Sequence, residues 1–195
     1  METLFDRYAR VCRGPNDISE HLPVLRDFAS RCERIVEFGV RGGNSTTALL
    51  YGLYDHLAYS SGCRPHSLRS FDLNDCPEAA KLERAGDDVD FTFSIADSRK
   101  TPPLACDLLF IDTLHTEAQL AAELSRHAGG VRRWILLHDT KTFGDVGEDG
   151  GPGLWPAIVS FIANADARWR IAERLTNQNG LTVLERLRPP ASETA

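Results

Sequence analysis

The sequence lacks the marks of several protein classes. It has no C-x-x-C pair, and its five cysteines, Cys12, Cys32, Cys63, Cys76 and Cys106, are widely spaced. That excludes a disulfide framework and a structural zinc site, and implies free thiols in a reducing compartment. The chain opens Met-Glu-Thr-Leu-Phe-Asp, without a basic region followed by an apolar one, so no signal peptide is expected. No apolar run comes near the length of a membrane span. Basic charge is not in excess: the formal net charge is −6 and the pI about 5.5. A nucleic-acid partner calls for a basic face, so none is expected. These absences describe a cytoplasmic protein with neither membrane nor nucleic acid as partner. There is no G-x-G-x-x-G, no internal repeat, and no linker long enough to divide domains. The 195 residues suit one domain, which at this size buries about 70% of the surface its unfolded chain exposes.

What is present is an alternation of helical and strand patterns. Residues 1–32 read as helical. Leu4, Tyr8 and Val11 share one face, Gly14-Pro15-Asn16 breaks it, and Asp17 with Glu20 matches a capping box for a second helix. Pro23 conflicts with that box and predicts either a kink or a start nearer Leu22. This segment is expected to pack on the sheet, the sharper alternative being a pocket wall through His21 or Asp17. Strands are predicted at 35–38, 67–72, 90–95, 106–112 and 133–137, with a loop over 60–65 and a short helix over 78–84. The run 106–112 is apolar enough to be buried on both faces. Thr116 to Gln119 caps the helix that Gly129-Gly130 closes. Gly144 to Gly153 is glycine-rich and acidic, hence a mobile loop. Pro156 opens a last helix. Residues 169–175 and 181–187 form a hairpin around Asn177-Gln178-Asn179-Gly180, and 189–195 is a disordered tail.

The most informative stretch is Ile35 to Leu50. A short strand (Ile35, Val36, Phe38) meets a turn with Gly39, Gly42 and Gly43, and Asn44, Ser45 or Thr46 then caps a helix. Strand, glycine turn, helix is the first unit of a nucleotide-binding α/β sheet, whose ligands bind outside the carboxyl ends of the strands. Acids gather there: Glu37, Asp72, Asp97, Asp112 and Asp139 each end a predicted strand or begin the next loop. A pyrophosphate at the first turn would be repelled by Glu37. S-adenosylmethionine has no phosphate, and its sulfonium and α-ammonium are attracted to a carboxylate. Arg41 can pair with its α-carboxylate, Asp72 can accept from both ribose hydroxyls, and Asp97 can receive the adenine amino group.

The order Val-Glu-Phe-Gly-Val-Arg-Gly-Gly, Ser-Phe-Asp-Leu, Ala-Asp-Ser, Leu-Leu-Phe-Ile-Asp and a terminal hairpin resembles a class I S-adenosylmethionine-dependent methyltransferase over roughly residues 34 to 187. The resemblance implies a Rossmann-like α/β fold: a seven-stranded sheet of order 3-2-1-4-5-7-6, strand 7 antiparallel, with helices on both faces. It implies a helical segment at 1–33, a cofactor-binding domain at 34–188 and cofactor contacts from Glu37, Gly39, Arg41, Gly43, Ser45, Asp72, Asp97 and Asp112. Phe110-Ile111-Asp112-x-x-His115 with Leu136-Leu137-His138-Asp139-Thr140 is similar to the branch of cephalosporin-hydroxylase-like proteins and macrocin-type sugar O-methyltransferases. Acids at the ends of the fourth and fifth strands hold Mg²⁺ in that branch, and Asp112 and Asp139 match them. Here Asp112-Thr113-Leu114-His115 replaces Asp-Gly-Asp-His, and His138 stands where relatives often have a second acid.

Transfer to a hydroxyl requires its proton to leave. Either a cation on Asp112, Asp139 and His138 lowers the hydroxyl pKa, or His115 or His138 acts as general base. His115 precedes the Thr116 cap, so the helix dipole is expected to keep it neutral, by roughly 0.3–1 kcal/mol at an exposed site. The leading expectation is O-methylation of a small polyhydroxylated acceptor. The alternatives are N-methylation of a small polar acceptor, an NAD-linked oxidoreductase, and a cofactor-binding module without transfer. A homo-oligomer is compatible with the N-terminal helical pair.

Overall fold

A computed structural model describes residues 2–59, 65–83, 88–164 and 168–187. The tail expected over 189–195, and all but residue 65 of the loop expected over 60–65, lie outside the described residues. Seven strands form one sheet: β1 (Arg34–Phe38), β2 (His66–Asp72), β3 (Val89–Ile95), β4 (Cys106–Ile111), β5 (Val131–His138), β6 (Trp169–Leu175) and β7 (Leu181–Arg186). Their order is β3-β2-β1-β4-β5-β7-β6. β7 runs antiparallel to both β5 and β6. This is the Rossmann-like methyltransferase fold that the sequence predicts. The chain divides into two compact units, Met1–Asp97 and Ser98–Ala195.

In the first unit, α1 (Leu4–Arg13) starts on Thr3, whose hydroxyl accepts from the Asp6 amide at 3.1 Å. The second helix, α2 (Leu22–Ala29), does not begin at the Asp17–Glu20 box. Residues 17–21 are turns, and His21 is the N-cap. Pro23 decides this: it has no backbone donor and fits only in a helix's first turn, where none is needed. β1 is buried from Ile35 to Phe38 and pairs in parallel with β2 (Glu37 opposite Ser70), which pairs with β3. α3 (Asn44–Tyr59) leaves the glycine turn directly and crosses α2 at Gly52. α4 (Pro77–Glu83) follows β2.

In the second unit, β4 is buried along its whole length and pairs in parallel with β5. Ile111 lies opposite Leu137, which sets Asp112 and His138 at neighbouring strand ends. α5 (Glu117–His127) starts on Thr116, whose hydroxyl accepts from the Gln119 amide at 3.3 Å. α6 (Leu154–Ala163) carries Pro156 in its first turn. The β6–β7 turn closes with Gly180 at φ 90° and its amide donating to Asn177 O at 3.0 Å.

Gly52 yields a test of this packing. A Cβ there would lie 2.4 Å from Arg26 O and 2.5 Å from Ala29 Cβ. Alanine is the better helix former, but the overlap outweighs that preference. Gly52→Ala is expected to lower stability by about 1–3 kcal/mol, read as a lower midpoint in urea denaturation. An unchanged midpoint would mean that the helices do not meet there.

Candidate functional site

Two groups of predicted residues sit at the carboxyl ends of strands, one in each unit. The first is the turn after β1. Gly39, Arg41 and Gly43 all take positive φ (89°, 46° and 72°). A non-glycine residue pays for that conformation, so neighbours must hold it. Asp72 does so: its Oδ2 accepts from the amides of Val40 at 2.8 Å and Arg41 at 3.0 Å, and its Oδ1 from Asn74 at 2.9 Å. Burial pushes the Asp72 pKa up, but these amides outweigh it and hold the carboxyl below the usual range. Arg41 is exposed and pairs with Asp17 at 2.6 Å. Ala96, before Asp97, donates its amide to Asp72 O at 2.8 Å.

Glu37 is fully buried. Its carboxylate accepts from Ser45 Oγ at 2.6 Å, Thr46 Oγ1 at 2.8 Å and Ser70 Oγ at 2.6 Å. The residue expected to meet a ligand's positive charge is thus a carboxyl enclosed by hydroxyls from the start of α3 and from β2. Ser45 shares that role by donating to it.

The second group follows β4 and β5. His115 Nε2 lies 3.2 Å from Asp112 Oδ1 and 2.8 Å from Asp139 Oδ2. His138 Nδ1 lies 3.4 Å from Asp112 Oδ1 and 3.6 Å from Asp139 Oδ1. Asp139 Oδ1 is buried without a hydrogen-bond partner among the described residues. Asp139 also takes positive φ (60°), a strained backbone state at a strand's end. Ligand atoms of Asp112, His138 and Asp139 lie within 4.8 Å of one another.

Electrostatics reverse the expectation for His115. Burial disfavours its charged form, but Asp112 and Asp139 outweigh burial and raise its pKa to about 10. His138 is raised to about 9 against the same burial and by the same carboxylates. Asp112 and Asp139 are in turn held below the usual carboxylate range by the imidazoles. In this arrangement His115 is an imidazolium at neutral pH. The helix dipole is the smaller effect beside two close carboxylates.

The loop expected to be mobile has a defined course over this group. Glu148 contacts His115 Nδ1 and also accepts from the His115 amide at 3.2 Å. The Glu148 amide donates to His115 O at 3.2 Å, and Glu117 donates to Pro152 O at 2.9 Å. Phe143 stacks on the His115 ring, centroids 4.8 Å apart and planes 4° from parallel. Glu148 was visible in the sequence only as one of three loop acids. Glu123 was not singled out at all. It is fully buried and accepts from Ser98 Oγ at 2.5 Å, Thr113 Oγ1 at 2.9 Å and Gln119 Nε2 at 2.8 Å. Burial, the largest effect, raises its pKa. With Thr113, His115 and His138 it lines a cavity of about 10 Å³, room for about one water. Gln119 and Glu123 lie four apart on α5, a polar pair on a helix's buried side, which is the signal that could have found them.

The ion pairs fix a pH dependence. Raised histidine pKa values contribute stability that is full below about pH 6.5 and is lost as pH rises through about 9 to 10. Lowered aspartate values contribute stability that is full above 3.8 and lost as pH falls. In EDTA, the melting temperature of the wild type is expected to fall from pH 6.5 to 10 more steeply than that of His115→Gln. Equal slopes in a thermal-melt series would show that these imidazoles are not paired as described.

No protein-family model matches the sequence, and no curated protein matches it. Solved structures do share its fold. The Podospora anserina methyltransferase PaMTH1, solved with SAH bound, is 19% identical with a TM-score of 0.56, over 93% of this chain and 86% of that one. The N-methyltransferase NodS from Bradyrhizobium japonicum WM9, in complex with S-adenosyl-L-homocysteine, is 11% identical with a TM-score of 0.60, over 94% and 98%. Cofactor-bound Rv0187 from MTB is 16% identical with a TM-score of 0.64, over 95% and 88%. The seven-stranded order, the antiparallel β7 and these likenesses agree: the chain has the fold of the S-adenosylmethionine-dependent methyltransferases.

Proposed function

We propose that this protein is an S-adenosylmethionine-dependent methyltransferase acting on an oxygen of a small polyhydroxylated acceptor, such as a sugar or a natural product. The observation that carries this reading is the gathering of Asp112, His115, His138 and Asp139 at the ends of β4 and β5. Methyl transfer needs an aligned, nucleophilic acceptor more than an activated donor, because the sulfonium is already activated. The turn at 39–43, with Asp72, Asp97 and the buried carboxyl of Glu37, receives the cofactor, and Arg41 exchanges Asp17 for the methionine carboxylate. The acceptor lies against the second group, under the loop bearing Glu148.

Two carboxylates and an imidazole suit a divalent cation, and the unpartnered, buried Asp139 Oδ1 is an oxygen such an ion would satisfy. Asp112, Asp139 and His138 would hold it. The imidazole departs from the all-oxygen set that Mg²⁺ favours, so Mn²⁺ or Fe²⁺ fits these donors better. When bound, such an ion lowers the pKa of a hydroxyl and orients a vicinal diol. His115, held at Nδ1 by Glu148, keeps Nε2 aimed at the two aspartates; with their charge drawn off by a cation among those oxygens, the His115 pKa would fall and leave Nε2 able to take the acceptor's proton.

Calorimetry tests the cofactor half. S-adenosylhomocysteine is expected to bind, and Glu37→Ala and Asp72→Ala to weaken it about tenfold each. No heat with this ligand and a clear response to NAD would sink the reading. For the acceptor half, labelled methyl transfer over a panel of hydroxylated acceptors is expected to fall about 100-fold or more in Asp112→Ala and Asp139→Ala, with cofactor affinity retained. Cofactor binding without product from any acceptor would favour a binding module instead. Transfer that survives EDTA unchanged would remove the cation from the scheme.

A further inference from the structure

The N-terminal helix carries a buried cation that its own packing does not require. α1 meets α3 through rings: Tyr8 and Phe5 lie 5.0 Å and 6.1 Å from Tyr51, centroid to centroid. Val11 is buried beside them. Arg7 is 7% exposed, and a guanidinium is costly to bury unless its donors are met. They are met away from α1. Nε donates to Thr47 Oγ1 at 3.0 Å, Nη1 to Glu78 Oε2 at 2.9 Å, and Nη2 to Gly42 O at 3.4 Å. Thr47 Oγ1 in turn donates to Gly43 O at 2.6 Å. A Cβ on Gly43 would lie 3.2 Å from Arg7 Nη2, so the guanidinium sits close against a turn residue that itself takes positive φ (72°).

We infer that Arg7 is a positioning residue of the cofactor site. It holds the Gly42 carbonyl directly and the Gly43 carbonyl through Thr47, and so fixes the positive-φ turn that receives the methionine end of the cofactor. The inference rests on the S-adenosylmethionine reading above, and it makes α1 part of the binding site as well as a packing element. The turn is then set from two directions: Asp72 takes the amides of Val40 and Arg41, and Arg7 takes the carbonyls that follow. The three acceptors are met by three separate nitrogens of the fork, whereas lysine offers all its donors from one nitrogen, so lysine does not replace it.

The test uses the full-length chain with Arg7→Ala, Arg7→Lys and, as a control on the same helix, Arg10→Ala, whose guanidinium is exposed and paired with Glu2. S-adenosylhomocysteine affinity is measured by calorimetry at a temperature where circular dichroism shows each variant fully folded. Amide hydrogen exchange over 38–48 is measured without ligand. Both Arg7 variants are expected to bind about tenfold more weakly or worse, as for loss of a charge-assisted hydrogen bond, with faster exchange over the turn, while Arg10→Ala matches the wild type. A purely structural role lowers the melting temperature but leaves affinity in the folded protein unchanged, and that result overturns the inference. Should Arg7→Ala not fold, Thr47→Val removes the relay to Gly43 without removing the cation, and is expected to weaken binding about threefold to tenfold; unchanged affinity there overturns the inference equally. If the wild type does not bind S-adenosylhomocysteine, the cofactor reading has failed and exchange decides separately. Faster exchange over the turn in Arg7→Ala then upholds the brace, and unchanged exchange removes it.

Discussion

Two carboxylates at the ends of neighbouring parallel strands repel each other, and much of the second unit answers that repulsion. β4 and β5 are in a register that leaves Asp112 and Asp139 no choice but proximity. Like charges in a poorly screened place either lose a charge or gain a partner of opposite sign. Here the partners are His115 and His138, and each imidazole touches both acids. Their raised pKa values are the energetic record of that arrangement. The loop carrying Glu148 then settles on His115 from the other side of the ring. A cation placed among the same oxygens would answer the same repulsion, which is why the group is suited to hold one.

The other buried acids are handled differently. Glu37 keeps its place among three hydroxyls. Glu123 sits among two hydroxyls and an amide, and burial raises its pKa. Each solution suits its location. Hydroxyl donors bind Glu37 to both the start of α3 and to β2, so the glycine turn between β1 and α3 is held at both ends. Glu123 joins Ser98 to Thr113, which precedes His115 by two residues, and so steadies the segment from which Asp112 and His115 project.

Much of this was legible in the chain. Alternating strand and helix patterns pointed to a mostly parallel α/β sheet, the family resemblance implied its order, and the acids at successive strand ends fall at the carboxyl edge that the candidate site occupies. What was not legible is long-range. The Asp17–Glu20 box is a sound local signal that Pro23 overrules. His115 looked neutral when only its own helix was weighed, whereas Asp112, three residues earlier, and the distant Asp139 decide its charge. Arg7 carries no local mark that separates it from the other arginines of its helix. Its partners at Gly42, Thr47 and Glu78 belong to elements that no local pattern connects to it.

The hairpin turn between β6 and β7 bears on how the protein is made. Asn179 O accepts the amides of Lys141 and Thr142, and Thr182 donates to Thr140, 42 residues earlier in the chain. The strained backbone at Asp139 is therefore fastened by residues synthesised long after it. A nascent chain that has released β5 from the ribosome already holds both aspartates and both histidines, yet lacks the contacts that Asn179 and Thr182 make to the segment after Asp139. The cluster is finished only when the last two strands emerge and pair, so the order of synthesis delays assembly of the charged site until the sheet edge is in place.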